Sequence, residues 1–368
     1  MKALIAMSGG VDSSVAAFLM KDCDRIGCTM RLYDGEESEK QNTCCSLDDV
    51  EDARAVCRRM GIPYYVFNFK DAFGEKIIRR FVDCYRRGMT PNPCIDCNRY
   101  MKFERLLDRA RELDCELLVT GHYARVEEHD GRYLLKKGLD PGKDQSYVLY
   151  MLTQEQLRHI RFPLGGLSKD EVRRIAAENG FVNASKPDSQ DICFVPDGDY
   201  AAFIERYGVT TPEGDFVTPD GKVLGRHKGI AHYTIGQRKH LGIAVGEPIY
   251  VLRINAQQNT VTLGGNDLLF TKECTVGEFN WIAGEAPASP IRCAAKTRYR
   301  HREQSCTASV NPDGTVRLVF DSPVRAITPG QAAVLYDGDV VLGGGTIMSE
   351  ELRVKSEGRA RNKLPART

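Results

Sequence analysis

The first half of the chain alternates between two hydrophobic patterns. Short apolar runs predict buried strands, and apolar positions three to four residues apart predict amphipathic helices. The predicted strands are 2–7, 25–32, 64–69 and 116–120. The predicted helices are 13–21, 47–60, 73–87 and 102–113. This alternation is typical of a parallel sheet with helices on both faces, whose ligands bind outside the carboxyl ends of the strands.

A hairpin at 124–127 and 133–136 and helices at 153–159 and 169–179 follow along the chain. After about residue 196 the composition changes, and short alternating runs are separated by turn signals every 8–12 residues. The predicted fold class is therefore α/β, with a doubly wound parallel sheet followed by two small antiparallel β-rich domains, the last one a β-barrel. The predicted domains are 1–200, 204–270 and 273–352, with a basic tail at 353–368 that we expect to be disordered.

Charge and composition narrow the range of partners. The 51 basic and 50 acidic residues nearly cancel, so a nucleic acid would have to bind at local patches. No apolar run approaches a membrane span and no secretory signal opens the sequence. We therefore expect a cytoplasmic protein without a membrane or DNA partner, whose 13 cysteines stay reduced unless they are catalytic or metal-bound.

The string SGGVDSS at 8–14 lies between the first predicted strand and the first predicted helix. A glycine-rich turn before a helix presents backbone N–H groups and the positive helix end to an anion, and Asp12 or Ser13 can cap the helix. No Lys follows as it does in the usual nucleoside-triphosphatase loop. The string resembles the pyrophosphate-binding loop of ATP pyrophosphatases, which cleave ATP between its α- and β-phosphates. The alternative is a tight turn without a ligand.

Three cysteines stand apart from the rest. Cys94 and Cys97 form a C-x-x-C in a proline-rich stretch, which we interpret as a loop before the helix that starts at Lys102, and Cys193 follows about a hundred residues later. Four interpretations remain: a zinc site, which lacks a second ligand pair; a thioredoxin-like dithiol; inert buried thiols; and sulfur chemistry on a persulfide.

Several separated strings occur in one order along the chain. They are MSGGVDSS at 7–14, CCS at 44–46, TPNPCIDCN at 90–98, TGHY at 120–123, KDQSY at 143–147, ICF at 192–194, TIGQRK at 234–239, TRYR at 297–300 and TPGQ at 328–331. Together they resemble the bacterial and organellar tRNA-specific 2-thiouridylases of the ATP-pyrophosphatase superfamily. That family makes 2-thiouridine at the wobble position of tRNAs for Lys, Glu and Gln.

The resemblance implies an adenine nucleotide alpha hydrolase-like first domain with a PP-loop, and it implies a set of functional residues. The implied ATP-binding residues are Ala6, Met7, Ser8, Gly9, Gly10, Val11, Asp12, Ser13, Met30 and Gly121. Cys193 resembles the cysteine that carries a persulfide, and Cys97 resembles its nucleophilic partner, with which it can form a disulfide. The implied tRNA-binding residues are His122, Lys143, Asp144, Gln145, Arg298, Tyr299 and Gln331. Arg238, Lys239 and Arg300 are further candidates for phosphate contacts to the anticodon arm.

This chemistry suits the residues. A uracil oxygen is a poor leaving group until it is adenylated, and a persulfide can then replace it, with Mg²⁺ neutralising the pyrophosphate. A cysteine desulfurase or sulfur-relay protein is the implied sulfur donor. Cys94 departs from one branch of the family, which has an acidic residue there; with Cys97 and Cys193 it could instead hold a 4Fe–4S cluster.

Two other classes of function are weighed against this one. Another ATP pyrophosphatase, such as an amide synthetase for a small metabolite, would need neither the paired cysteines nor tRNA contacts. A non-enzymatic RNA-binding or iron–sulfur redox protein would not need the 8–14 loop.

Overall fold

The structure is a computed structural model that describes residues 1–33, 47–187, 192–195, 198–243 and 246–349. Its strands are β1 Lys2–Ala6, β2 Asp24–Arg31, β3 Tyr64–Asn68, β4 Leu117–Val119, β5 Ala124–His129, β6 Arg132–Lys137, β7 Ile160–Arg161, β8 Gly214–Val217, β9 Val223–His227, β10 Tyr250–Asn255, β11 Thr260–Gly264, β12 Phe270–Trp281, β13 Ile291–Lys296, β14 Gln304–Val310, β15 Val316–Arg325, β16 Ala332–Asp337 and β17 Val340–Ile347. The CCS string at 44–46 and the tail at 353–368 lie outside the described residues.

The helices lie mainly in the first part of the chain. They are α1 Val11–Leu19, α2 Leu47–Met60, α3 Lys70–Phe73, α4 Arg79–Arg86, α5 Pro93–Asp96, α6 Leu106–Glu112, α7 Gln154–His159, α8 Lys169–Glu178 and α9 Tyr200–Arg206. A π-helical turn, Gly74–Ile78, joins α3 to α4, and a π-helical stretch, Cys97–Arg105, joins α5 to α6. Among the described residues no helix is both long and apolar enough to cross a bilayer.

The N-terminal sheet confirms the predicted parallel architecture. Its strands lie in the order β3-β2-β1-β4-β7, and each neighbouring pair is parallel. The apolar runs form the sheet centre: Leu4, Ile5 and Leu118 are fully buried. The chain order places the carboxyl ends of β1, β2 and β4 side by side, which is the edge where we expected the site.

The central domain has the strand order β10-β11-β8-β9. β8 pairs with β9 and β10 with β11 in antiparallel hairpins, as the turn signals predicted. The prediction of a wholly antiparallel unit was wrong, because β11 lies parallel to β8. Turn signals specify each hairpin, whereas the pairing between hairpins depends on burial of shared apolar residues such as Phe216 and Val261.

The last domain is a closed barrel, which confirms that part of the predicted fold. Its strands run β12-β15-β14-β13-β16-β17, and β17 pairs back to β12. The β5–β6 hairpin of the first domain continues this sheet, since Lys136 pairs with Val340 of β17. One hydrophobic core also contains both Tyr147 of the first domain and Tyr336 of the barrel, so the barrel is packed directly on the first domain.

Candidate active site

The 8–14 segment forms the predicted turn between β1 and α1. Gly9 has φ +74°, a left-handed conformation that glycine adopts without a steric cost, and Gly10 is the N-terminal cap of α1. No side chain caps the helix, so the prediction of a cap by Asp12 or Ser13 was wrong. The Ser13 hydroxyl instead donates to the carbonyl of Gly10 and accepts from the amide of Ser8. The turn is therefore held closed by Ser13 while Asp12 is left for other contacts.

Two glycines allow close packing around this turn. A Cβ on Gly9 would lie 2.4 Å from the backbone oxygen of Asp49 in α2. A Cβ on Gly121, just after β4, would lie 2.9 Å from backbone atoms of both Asp12 and Ser13. Both positions therefore require glycine, and the start of α1 is enclosed by α2 on one side and by the end of β4 on the other.

The carboxylate of Asp12 lies at the centre of a polar network. It accepts a 2.7 Å hydrogen bond from the Tyr123 hydroxyl and forms a 2.7 Å ion pair with the ammonium of Lys169, the first residue of α8. Asn183 donates to the carbonyl of Gly9 and to the hydroxyl of Ser14. Sequence reasoning missed Lys169 and Asn183, because both reach the turn from more than 150 positions away and no local motif marks them.

The other implied ATP-binding residues lie along the same edge. Met7 continues β1, with its amide donating to Cys28 of β2. Ala6 and Met30 are partly buried and pack against the large core of the first domain. The sheet thus places these implied residues next to the turn at 8–14.

The cysteine-containing segment begins a helix at Pro93, nine residues before the predicted start at Lys102. Asn92 is the N-cap of α5 and accepts a hydrogen bond from the amide of Cys94, while Pro93 takes the first helical position, where a missing N–H costs nothing. The predicted loop was wrong because these prolines start a helix rather than interrupt one. Cys94 is exposed in the first helical turn, and Cys97 is partly buried at the start of the π-helical stretch.

Cys193 is positioned by its neighbour. The Phe194 ring lies 5.2 to 5.6 Å from the rings of Phe73, Phe81 and Phe203, which fixes the 192–195 segment on the core. Cys193 itself is partly buried against that core, and Cys97 packs against the same core. Both implied sulfur-handling cysteines therefore pack against the same core as Ala6 and Met30.

A buried acidic group lies between Cys94 and Cys97. Asp96 is 9% exposed, and its carboxylate lies 3.3 Å from Nε of Arg80. Arg80 also binds Glu278 of the barrel at 3.0 Å. Burial raises the pKa of Asp96 to about 6 against the opposing attraction of Arg80. Arg80 and Asp96 line a pocket of about 40 Å³ between the cysteine helix and the barrel.

Three of the implied tRNA-binding residues make contacts between domains. The Gln331 amide donates to the carbonyls of Thr90 and Pro91, at 2.9 and 3.2 Å. Arg298 donates to the carbonyl of Ile235 and to the Thr328 hydroxyl. Burial lowers the pKa of Arg298, and its buried Nε has no hydrogen-bond partner in the described part of the chain.

Tyr299 connects the barrel to the 143–147 segment of the first domain. Its hydroxyl donates to the carbonyl of Asp144 at 3.2 Å, and its ring packs edge-on against Tyr147 at 5.8 Å. Burial raises the pKa of Tyr299, and Asp144 and the Cys94 thiol add to the rise.

The implied tRNA-binding residues of the first domain also have intramolecular partners. Asp144 accepts from the amides of Gly138 and Ser146, and Gln145 exchanges hydrogen bonds with the backbone of Tyr123. Lys143 is partly buried just before them. These contacts hold the 143–147 segment against the end of β4.

His122 is buried after β4 and neutral. Its Nδ1 lies 2.6 Å from the Thr120 hydroxyl, and its Nε2 lies 3.5 Å from the ammonium of Lys102. Burial and the Lys102 charge hold the pKa of His122 well below its usual value. Because Nε2 faces an ammonium, the ring accepts there and Nδ1 carries the proton.

Metal-ligand geometry is absent from the described residues: they contain no group of three or more His, Cys, Asp or Glu side chains placed to hold a metal ion. Cys94, Cys97 and Cys193 are therefore not gathered as a ligand set in this conformation. The 4Fe–4S cluster stays a prediction.

Family models cover nearly the whole chain. Residues 1–197 match a tRNA methyl transferase HUP domain, residues 201–265 a tRNA methyl transferase PRC-barrel domain, and residues 271–347 an aminomethyltransferase β-barrel domain. The chain is also 53% identical over 355 residues to the tRNA-specific 2-thiouridylase MnmA 1 of Thermoanaerobacter sp. (strain X514), with 94% of this chain and 97% of that protein covered. The chain belongs to the tRNA-specific 2-thiouridylase family.

Further members of the family match over the same extent. The MnmA proteins of Clostridioides difficile and Acetivibrio thermocellus are each 50% identical to this chain, cover 94% of it, and are themselves covered over 98% and 99% of their lengths. A solved NMN synthetase from Francisella tularensis has a TM-score of 0.32 and 16% identity over 57% of this chain, a likeness too weak to carry an argument. The resemblance and the α/β fold class expected from the sequence are thereby confirmed.

Proposed function

We propose that this chain thiolates the C2 position of the wobble uridine in tRNAs for Lys, Glu and Gln, using ATP and a cysteine persulfide. The observation that supports the proposal is that residues flanking the 8–14 turn and the two cysteines contact the same hydrophobic core. Ala6 and Met30 beside the turn and Cys97 and Cys193 all pack against a single core. On this proposal, nucleotide activation and sulfur transfer act on one bound base.

In the first step the turn holds the ATP phosphates. The backbone N–H groups around Gly9 and Gly10 and the N-terminal end of α1 supply positive potential for this, and Ser8 is exposed there. The uracil O2 attacks the α-phosphorus and pyrophosphate leaves. Mg²⁺ would enter the site with the phosphates and neutralise the pyrophosphate. Asp12 would be the carboxylate of the turn available to hold it.

In the second step sulfur replaces the adenylated oxygen. The terminal sulfur of a Cys193 persulfide attacks C2 and AMP leaves with the oxygen. The Cys97 thiolate then attacks Sγ of Cys193, which breaks the S–S bond, releases the thiocarbonyl and leaves a Cys97–Cys193 disulfide. An external thiol reductant returns both cysteines to thiols, and a cysteine desulfurase or sulfur-relay protein reloads Cys193.

The tRNA partner requires cations that are accessible. Arg238, Lys239 and Arg300 are exposed and lie in strings shared with the family pattern. We assign them to phosphates of the anticodon arm. Arg298, Tyr299 and Gln331 stay proposed tRNA contacts, although their intramolecular bonds give each of them a second role.

The test uses the full chain with ATP, a persulfide donor and unmodified tRNA, and measures AMP release and 2-thiouridine separately. We expect tRNA-dependent AMP release, and we expect Cys193→Ser to release AMP without forming 2-thiouridine. Cys23→Ser is the control, because Cys23 lies just before β2, at the opposite edge of the parallel sheet from the 8–14 turn, and should retain both activities. AMP release at the same rate with and without tRNA would favour an amide synthetase or another small-molecule enzyme and would refute the proposal.

Cys94 separates the persulfide route from the cluster route. A Cys94→Ala variant that keeps full thiolation excludes a cluster held by three cysteines. Loss of thiolation in that variant, together with iron and a visible absorbance band in anaerobically purified protein, would replace the persulfide step with a cluster-bound sulfur.

A further inference from the structure

Two cysteines outside the active site face each other across the barrel sheet. Cys293 on β13 and Cys306 on β14 are direct partners in the antiparallel register. Their sulfur atoms lie 3.7 Å apart. Direct partners on neighbouring antiparallel strands have Cα atoms about 4.5–5.5 Å apart, which is within the range that a disulfide spans. Closing the bond thus needs side-chain adjustment without a change of register.

The two thiols differ in accessibility. Cys306 is completely buried in the barrel core, whereas Cys293 is partly exposed. The hydrogen bond between the two thiols lowers the pKa of Cys293 and raises that of Cys306, and Arg292 lowers the pKa of Cys293 further. An oxidant arriving from solvent therefore meets the more acidic thiol first, with a second thiol directly behind it.

The chain between the two cysteines carries the TRYR string. Residues 297–303 connect β13 to β14 and include Arg298 and Tyr299, which bind Ile235 and Asp144 in the other two domains. A covalent bond between Cys293 and Cys306 would close the base of this connection. It would restrict the backbone that positions both side chains.

We propose that Cys293 and Cys306 form an oxidisable dithiol that peroxide converts to a cross-strand disulfide. The Cys293 thiolate attacks one peroxide oxygen, the O–O bond breaks, and hydroxide leaves as Cys293 becomes a sulfenic acid. The sulfur of Cys306 then attacks the sulfur of Cys293; the S–O bond breaks and the hydroxyl leaves as water with the Cys306 proton. Each sulfur gives up one electron, peroxide gains two, and a dithiol reductant reverses the change.

This inference is independent of the sulfur-transfer proposal, because it uses neither Cys97 nor Cys193. Peptide mapping distinguishes the two disulfides. Trypsin releases Cys293 in peptide 293–296 and Cys306 in peptide 303–317, and neither peptide contains another cysteine. A linked 293–296/303–317 species therefore reports this bond alone.

The experiment treats the full-length protein with hydrogen peroxide, blocks remaining thiols, and digests it without reduction. We expect the linked species after peroxide, its loss after dithiothreitol, and a higher thermal midpoint for the oxidised protein. Cys293→Ser should lose both the linked species and the midpoint shift. Cys274→Ser is the matched control, because Cys274 packs in the same barrel core and should retain both.

Other results would overturn the proposal. They are a Cys274–Cys306 link, conversion of Cys293 to sulfinic acid while Cys306 stays a thiol, or full alkylation of both cysteines after peroxide. A Cys293→Ala variant checks that loss of the link in Cys293→Ser does not arise from misfolding, since both variants should keep the thermal midpoint of the reduced protein.

Discussion

Replacing Asp96 by Asn tests whether the carboxylate between Cys94 and Cys97 is a buried group that costs stability when charged. Asn has nearly the same shape and keeps the helix cap at Asn92 intact. Arg80 keeps its 3.0 Å ion pair with Glu278. The substitution therefore removes mainly the ionisation of one carboxyl group.

The magnitude follows from the pKa of Asp96. Burial raises it from 3.8 to about 6, although Arg80 opposes the rise. A raised folded-state pKa means that protonation favours folding, so the contribution is fully present below about pH 3.8 and is lost as the pH rises through about 6. Two pKa units correspond to about 3 kcal/mol. Relative to Asp96→Asn, the wild type should thus lose about 3 kcal/mol between pH 4 and pH 7.

The assay is urea unfolding of both proteins at a series of pH values, followed by the difference between their free energies of unfolding. Asp130→Asn is the control, because the Asp130 side chain is 90% exposed and the same difference should stay flat. A flat difference for Asp96→Asn would show that burial does not shift this group. A difference of the opposite sign, with the wild type gaining stability as the pH rises, would show that attraction to Arg80 outweighs burial.

Two other substitutions test the turn and the domain contact. Gly9→Ala should lower the free energy of unfolding by about 2 kcal/mol or more, because it combines a left-handed φ with a Cβ 2.4 Å from Asp49 oxygen. Gly10→Ala should cost less than about 1 kcal/mol, since its Cβ would touch only the Ser8 hydroxyl at 3.5 Å; equal losses in chemical denaturation would contradict this. Gln331→Ala should cost about 1–2 kcal/mol and speed amide exchange around Thr90, and unchanged exchange would mean that the two hydrogen bonds do not hold the segment.

Local signals predicted the first domain well. The apolar runs at 2–7 and 25–32 became β1 and β2 because buried parallel strands are hydrophobic on both faces. The glycine pair after β1 marked the turn, since only a residue without a side chain fits beside Asp49. Each of these inferences needs only a few neighbouring residues, which is why sequence alone supports them.

The same local reasoning failed where one residue type has two uses. Proline breaks a helix in its interior but is well suited to the first helical position, and Asn92 before Pro93 is a cap signal. The loop was predicted from the prolines alone, without the cap signal of Asn92. The error placed Cys94 and Cys97 in a loop, whereas they lie at the start of a helix.

Contacts between distant parts of the chain had no local signal. Lys169 reaches Asp12, and β6 joins β17 across about 200 positions. Such pairings depend on which surfaces the folded domains bring together. The local sequence of β6 predicted a hairpin strand correctly, but it carried no information about the barrel strand beside it.

The contacts of Arg298, Tyr299 and Gln331 change how a loss of activity at these positions must be interpreted. Each is an implied tRNA contact, yet each also connects the barrel to the rest of the molecule, and Gln331 holds the backbone just before the cysteine helix. Weaker tRNA binding and a displaced Cys97 would both reduce thiolation. Arg300 is exposed beside them, so a substitution there that lowers tRNA affinity without lowering stability isolates the binding role. A direct role in tRNA binding at the other three positions therefore requires a loss of affinity larger than the loss of folding stability accounts for.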